Sequence, residues 1–285
     1  FKIHTFEQSG PDICYRIGGQ GDPILFLHGF PQTHAMWAEI AQYLVEDYTV
    51  VCADLRGYGA SEKPQGASNY SFRAMGSDQL ALMNYLGFEK FHLVGHDRGA
   101  RVSHRIALDA PERVKSITMM DIVPTYLLLS KLSKEVARDY YHWSFLAQPE
   151  PLPEKLIATN PNYYFENSLL GWGAAQLSDF AAEQLAEYRL AWNNPETIHA
   201  MCNDYRATFD FDFTIDQADH LMRVNAPALV MWGVDGVMAK YYDMEAVWRE
   251  KLIDMYICPM PGGHFFPDIS GVRTAYELHK FLRSI

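Results

Sequence analysis

The chain has 285 residues, a length that corresponds to one large domain or to a core carrying an insertion. With 48% hydrophobic and 14% aromatic residues it can bury a substantial core, which excludes disorder. The net charge of -11, with no Lys/Arg run, argues against nucleic-acid binding, and an anionic substrate would have to be drawn in by local cations against the global field.

No apolar stretch approaches the ~18 residues that a bilayer crossing needs. The opening "FKIHTFEQSG" has neither the charged n-region nor the apolar h-region of a signal peptide, and it has no initiator Met. Cys14, Cys52, Cys202 and Cys258 are widely scattered, without a C-x-x-C pair. That usage fits reduced thiols in a cytoplasmic protein better than a disulfide framework or a zinc site.

In chain order, "KIHTFEQSG" and "ICYRIGG" form an opening hairpin, and "DPILFLHGFP" is a buried strand over Ile24–His28 that runs into a Gly-Pro turn. "THAMWAEIAQYLVE" has helical periodicity, "YTVVCADLRGYG" is a buried strand entering a Gly-rich loop, and "FRAMGSDQLALMNYLG" is a helix closed by Gly87. "KFHLVGH" is a further strand, followed by a helix from Arg98 to about Ala110 and then the strand "VKSITMMDIVP". Short apolar strands alternating with amphipathic helices predict a mostly parallel α/β sheet covered on both faces. From about Pro124 to Ala218 the alternation lapses into aromatic-rich, helix-like segments. It resumes with "APALVMWG", a helix around "DMEAVWREKL", the strand "MYICPMPGG" and the closing helix "VRTAYELHKFLRS". The expectation is a core of residues 1–123 and 219–285 with a helical cap over 124–218.

In open α/β sheets the active site lies beyond the carboxyl ends of the strands. His28-Gly29-Phe30-Pro31, Asp97-Arg98, Asp121 and Gly262-Gly263-His264 all fall there. Gly95-x-Asp97-x-Gly99 fits a nucleophile elbow, in which small residues permit a sharp turn with the apex side chain exposed. By itself Asp97 could equally be an ordinary helix N-cap. His92 and His96 are spaced i, i+4, but on a strand and its turn, so they are not read as a zinc pair.

The motifs "LHGFPQTHAMW", "VGHDRGARVSHRIALDAPERV", "YHWSFLAQPEPLPE", "CNDYRA" and "GGHFFP" resemble those of the α/β-hydrolase superfamily and, within it, the fluoroacetate (haloacetate) dehalogenases. The first and last are shared with epoxide hydrolases, whereas the Arg98/Arg101 pair and "YHWSFLAQP" are more specific. A carboxylate suits displacement at saturated carbon: it attacks, an alkyl ester forms on the enzyme, and water cleaves that ester. The resemblance implies that Asp97 is the nucleophile, His264 the base for the hydrolytic water, and the N–H groups of Phe30 and Arg98 the oxyanion hole. Asp121 is expected as the third member. Asp235 lies one residue short of the alternative position, three after Gly233.

Arg98 and Arg101 are expected to hold a substrate carboxylate, and His142, Trp143 and Tyr205 resemble the family's halide cradle. From the residues alone those aromatics read as cap packing. The implied reaction converts a 2-haloacid, fluoroacetate first, to a hydroxyacid, with neither metal nor cofactor. The resemblance also implies a homodimer. An epoxide hydrolase using the same Asp/His/Asp triad is the alternative, because the insertion is rich in tyrosine. A non-catalytic receptor for small acids is a more distant one.

Overall fold

The computed structural model describes residues 1–173 and 175–285. Eight strands form one sheet: β1 (Lys2–Phe6), β2 (Ile13–Gly18), β3 (Asp22–Leu27), β4 (Tyr48–Ala53), β5 (Phe91–His96), β6 (Val114–Met120), β7 (Ala228–Gly233) and β8 (Met255–Met260). Their spatial order is β1-β2-β4-β3-β5-β6-β7-β8. The β1–β2 and β2–β4 pairs are antiparallel and every other pair is parallel. This matches the opening hairpin and the parallel core expected from the alternation. The sequence "FHLVGH" has no polar alternation because β5 is central and buried along its whole length.

Three helices lie between the first six strands: α1 (Ala38–Leu44), α2 (Phe72–Tyr85) and α3 (Arg98–Asp109). The segment expected to be one helix from Thr33 onward begins instead as a tight 3-10 turn, His34–Trp37, whose cap is the Thr33 hydroxyl accepting from the Ala35 N–H at 3.2 Å. Between β6 and β7 the chain is helical: α4 (Thr125–Ser130), α5 (Lys134–Asp139), α6 (Tyr141–Leu146), α7 (Leu152–Ala158), α8 (Pro161–Leu170), α9 (Ala182–Trp192), α10 (Pro195–Ala207) and α11 (Phe213–Ala218). A π-turn at Thr208–Asp212 joins the last two. Four more helices complete the chain: α12 (Val237–Tyr241), α13 (Met244–Arg249), α14 (Phe266–Ile269) and α15 (Gly271–Leu282). α12 and α14 were not anticipated, since four or five residues are too few to display a helical period.

The sheet register places the site. Leu27 pairs with Gly95, His96 with Met120, Met120 with Met231, and Gly233 with Met260. The residues that follow these positions, His28, Asp97 and Asp121, and the loop after β8, therefore emerge along one edge of the sheet. Trp248 on α13 ties this edge to the core, donating its indole N–H to the Ile122 carbonyl at 2.9 Å.

Candidate active site

Asp97 stands at the junction of β5 and α3 with φ 47° and ψ -114°, a backbone conformation that L-residues rarely adopt. The turn is possible because its flanks lack side chains. A Cβ on Gly99 would sit 2.1 Å from the Leu27 carbonyl oxygen, and one on Gly95 2.5 Å from the Ala100 Cα. The Asp97 carboxylate makes no capping bond to α3. Its Oδ1 accepts instead from the Phe30 N–H at 3.0 Å, across from the loop after β3. The N-cap reading therefore fails, and the side chain is turned toward the strand ends. Among the described residues, the Arg98 N–H has no hydrogen bond to this carboxylate.

Burial opposes ionisation of Asp97, but the fields of His264, Arg98 and Arg101 and its place at the start of α3 overcome it and hold the pKa at about 2. His264 Nε2 lies 3.9 Å from Asp97 Oδ2, and its Nδ1 lies 2.6 Å from Asp121 Oδ2. Asp121 is itself fixed by the Gly233 N–H, which donates to Oδ1 at 3.0 Å. Burial disfavours the His264 cation, yet the hydrogen bond and charge of Asp121 outweigh it and raise the pKa above 6.5. Asp235 is exposed. The one-residue offset in the sequence thus corresponds to a side chain outside the site, and the acid that reaches His264 is Asp121.

The two arginines differ in a way their spacing did not reveal. Arg98 is fully buried and already engaged. Its Nε donates to Asp204 Oδ2 at 2.9 Å, and its Nη2 bonds Asp204 Oδ1 and, at 2.6 Å, the Thr208 hydroxyl. Tyr58 adds a second donor to Asp204 Oδ2 at 2.6 Å. Among the described residues, Arg101 is held by neutral acceptors, the Val123 carbonyl and the Thr125 hydroxyl, both at 2.9 Å. Burial lowers its pKa. The Trp143 ring covers both guanidiniums, at 5.5 Å from Arg98 and 4.7 Å from Arg101.

Opposite Asp97, the rings of Phe30, His142 and Tyr205 pack together, with Phe30 stacked on His142 at 5.8 Å and Tyr205 edge-on to both. Burial pushes His142 well below its usual range, so the ring is neutral, and raises Tyr205 so that it keeps its O–H. Four buried polar atoms here have no partner among the described residues: Arg98 Nη1, Arg101 Nε, His142 Nδ1 and the Tyr205 hydroxyl.

All eight residues singled out in the sequence, together with Phe30, are therefore brought to one end of the sheet. Asp204, Thr208 and Tyr58 were missed. Asp204 lies inside the quoted "CNDYRA", but no local pattern links it to a guanidinium 106 positions away. His92 and His96 are kept apart by different partners, Ser116 at 2.8 Å for the first and the His264 carbonyl at 2.8 Å for the second.

The model of the α/β hydrolase fold matches residues 22–268. The chain belongs to the α/β-hydrolase fold family. It is 51% identical over 269 residues to a fluoroacetate dehalogenase of Burkholderia sp, covering 93% of this chain and 88% of that protein. A soluble epoxide hydrolase of Corynebacterium sp. (strain C12) is more distant, 28% identical over 269 residues, covering 93% and 91%. Among solved structures, an α/β hydrolase from Nostoc sp PCC 7120 superposes with a TM-score of 0.96 at 44% identity, covering 99% of this chain and 98% of that one. Among the described residues of this hydrolase, no helix is long and apolar enough to cross a membrane.

Proposed function

We propose that this α/β hydrolase is a hydrolytic dehalogenase of small 2-haloacids, with fluoroacetate as the leading substrate and glycolate and fluoride as products. The observation that carries the reading is the set of three buried donors, Arg98 Nη1, Arg101 Nε and the Tyr205 O–H, that together with His142 Nδ1 lack a partner among the described residues and lie around an ionised Asp97. Each buried donor left unsatisfied costs ~1–3 kcal/mol, so their convergence makes sense as a mould for an anion and a departing halide. Arg101 Nε and Arg98 Nη1 grip the substrate carboxylate, and the Tyr205 O–H, with His142 and Trp143, receives the halide.

Asp97 attacks the halogen-bearing carbon, forming a C–O bond as the C–halogen bond breaks and its electron pair leaves with the halide. Water then adds to the carbonyl carbon of the resulting ester. His264 takes the water's proton and Asp121 steadies the imidazolium. The Phe30 N–H stabilises the oxyanion, a donor whose removal typically costs ~10²–10³ in rate. The Arg98 N–H joins it once charge develops there. On collapse His264 returns its proton to the departing alkoxide, and the hydroxyacid carries off an oxygen of Asp97; the oxygen of the water replaces it in the carboxylate as the water's second proton passes to solvent. The sequence of steps uses no metal or cofactor.

Residues 124–218 act as a helical cap over a core of 1–123 and 219–285. The four free cysteines support a cytoplasmic location. The homodimer rests on resemblance.

His264→Ala incubated with fluoroacetate is expected to gain the mass of a carboxymethyl ester on Asp97. An unmodified variant, under conditions in which the wild type releases fluoride, would overturn the covalent route. Diol formation from styrene oxide without fluoride release would favour the epoxide hydrolase reading instead.

A further inference from the structure

A crevice of about 380 Å³ lies between α9, α1, the 3-10 turn at His34–Trp37 and the sheet face shared by β2 and β4. None of its lining residues belongs to the reacting cluster around Asp97. Arg16 on β2 and Cys52 on β4 are direct partners in the sheet, so their side chains share the face that floors it.

Two polar features of this crevice are left incomplete by the protein. The first is Arg16. The Asp54 carboxylate accepts from His34 Nδ1 at 2.9 Å, which leaves Nε2 as an acceptor, and Arg16 Nε donates to it at 2.8 Å. Among the described residues, the other donors of this guanidinium have no hydrogen-bond partner and no carboxylate pairs with them. The second is Gln184 on α9, which is only 6% exposed. Its Nε2 donates to the carbonyls of Ala35 and Met36 at 3.1 and 3.3 Å. Both partners can only accept, so the NH2 end must face them and the orientation of the amide is fixed. Its oxygen is buried and has no partner among the described residues. A buried acceptor left unpaired is costly, and a ligand donor in the crevice removes that cost. Glu183 and Glu187, exposed and one helical turn apart on α9, bring two further carboxylates to the wall. Ala38, Ala41 and Cys52 make the rest of it apolar.

We infer that this crevice is a second ligand site, built for a small α-amino acid with an apolar side chain. The carboxylate pairs with the free donors of Arg16, and the ammonium donates to Gln184 Oε1 in the field of Glu183 and Glu187. The side chain lies against Ala38, Ala41 and Cys52. A simple carboxylate would satisfy Arg16, but it would leave the Gln184 oxygen unpaired and meet two acids. A simple amine would leave the guanidinium unused. An amino acid carries both charges on one carbon and answers both features at once. The volume falls within the ~300–1,000 Å³ of small-molecule sites.

The inference is independent of the chemistry at Asp97. Calorimetric titration of the full chain with L-leucine is expected to saturate at one site. 4-Methylpentanoate, which lacks the ammonium, and 3-methylbutylamine, which lacks the carboxylate, should each bind roughly 10–100-fold more weakly. Arg16→Gln should weaken leucine by a similar factor. Glu187→Lys changes an exposed helix position that the fold tolerates, and it should shift the preference from leucine toward 4-methylpentanoate. Arg101→Gln, and wild type saturated with glycolate, should bind leucine as the free wild type does. Heats indistinguishable from dilution would overturn the inference. So would equal affinity for leucine and 4-methylpentanoate, binding unmoved by both Arg16→Gln and Glu187→Lys, or displacement of leucine by glycolate.

Discussion

Replacing Arg101 with glutamine isolates a buried cation of the site whose partners, among the described residues, are neutral. Asp204 already compensates the charge of Arg98 through three hydrogen bonds, two to its carboxylate and one to its backbone carbonyl. The donors of Arg101 that are in use go to a carbonyl and a hydroxyl. Bringing a haloacid carboxylate to ~4 Å from Asp97 costs ~4 kcal/mol at an effective dielectric of 20, and a guanidinium at a similar distance returns a comparable amount. At 1.36 kcal/mol per decade, Arg101→Gln is expected to lose roughly 10³ in kcat/KM. Fluoride release from fluoroacetate, followed with an ion-selective electrode, measures this. Chloride release from chloroacetamide gives the control, because a neutral substrate does not repel Asp97. The loss on the amide should stay below about tenfold. A variant within tenfold of wild type on fluoroacetate, or an equal loss on both substrates, would refute the assignment of the uncompensated charge to Arg101.

Two further outcomes follow from the same geometry. Asp204→Asn leaves Arg98 buried without its counter-ion, a change that costs about 3–5 kcal/mol in other proteins. Its Tm should fall, and glycolate should raise that Tm by more than it raises the wild type's, since the ligand carboxylate replaces the missing charge. An equal or smaller rise would show that the Arg98 charge does not reach the ligand. Asp121→Asn removes the group that raises the His264 pKa. The ring must be neutral to accept a proton, so activity rises as pH passes upward through its pKa. The acid limb of kcat should therefore move to lower pH in the variant while the plateau drops by roughly 10²–10⁴. The sign for stability is the reverse of that for activity. The raised pKa stabilises the fold in full below 6.5 and is lost as pH rises through the folded value, so wild type and variant should converge in Tm at alkaline pH.

The sheet was legible because its strands are short, apolar and bounded by Gly and Pro, and the elbow because Gly95 and Gly99 are demanded by backbone contacts that any Cβ would block. The choice between Asp121 and Asp235 turned on one residue of spacing, and a carboxylate 2.6 Å from His264 agrees with it. What the sequence could not display were partnerships over long separations. Arg98 sits beside the nucleophile in the chain, yet its carboxylate comes from α10, and nothing local in "CNDYRA" marks Asp204 as a counter-ion rather than a solvated helix residue.

Charge balance explains why such an enzyme would neutralise one of its two arginines. With His264 neutral, Asp97, Asp121 and Asp204 against Arg98 and Arg101 leave the buried cluster one negative charge in excess. An incoming haloacid anion doubles that excess. A second free guanidinium would ease binding, but it would also draw the Asp97 carboxylate into a direct ion pair and blunt its attack. Fixing Arg98 on Asp204 keeps its guanidinium from pairing directly with the nucleophile while its remaining N–H stays directed and rigid. On the proposed reading, halide departure moves negative charge from Asp97 toward the buried Tyr205 hydroxyl and the neutral His142 ring. The net charge of the site is unchanged during that step, and only its position shifts. A poor leaving group such as fluoride gains most from this arrangement, because donors that need no reorganisation act on charge appearing late in the displacement.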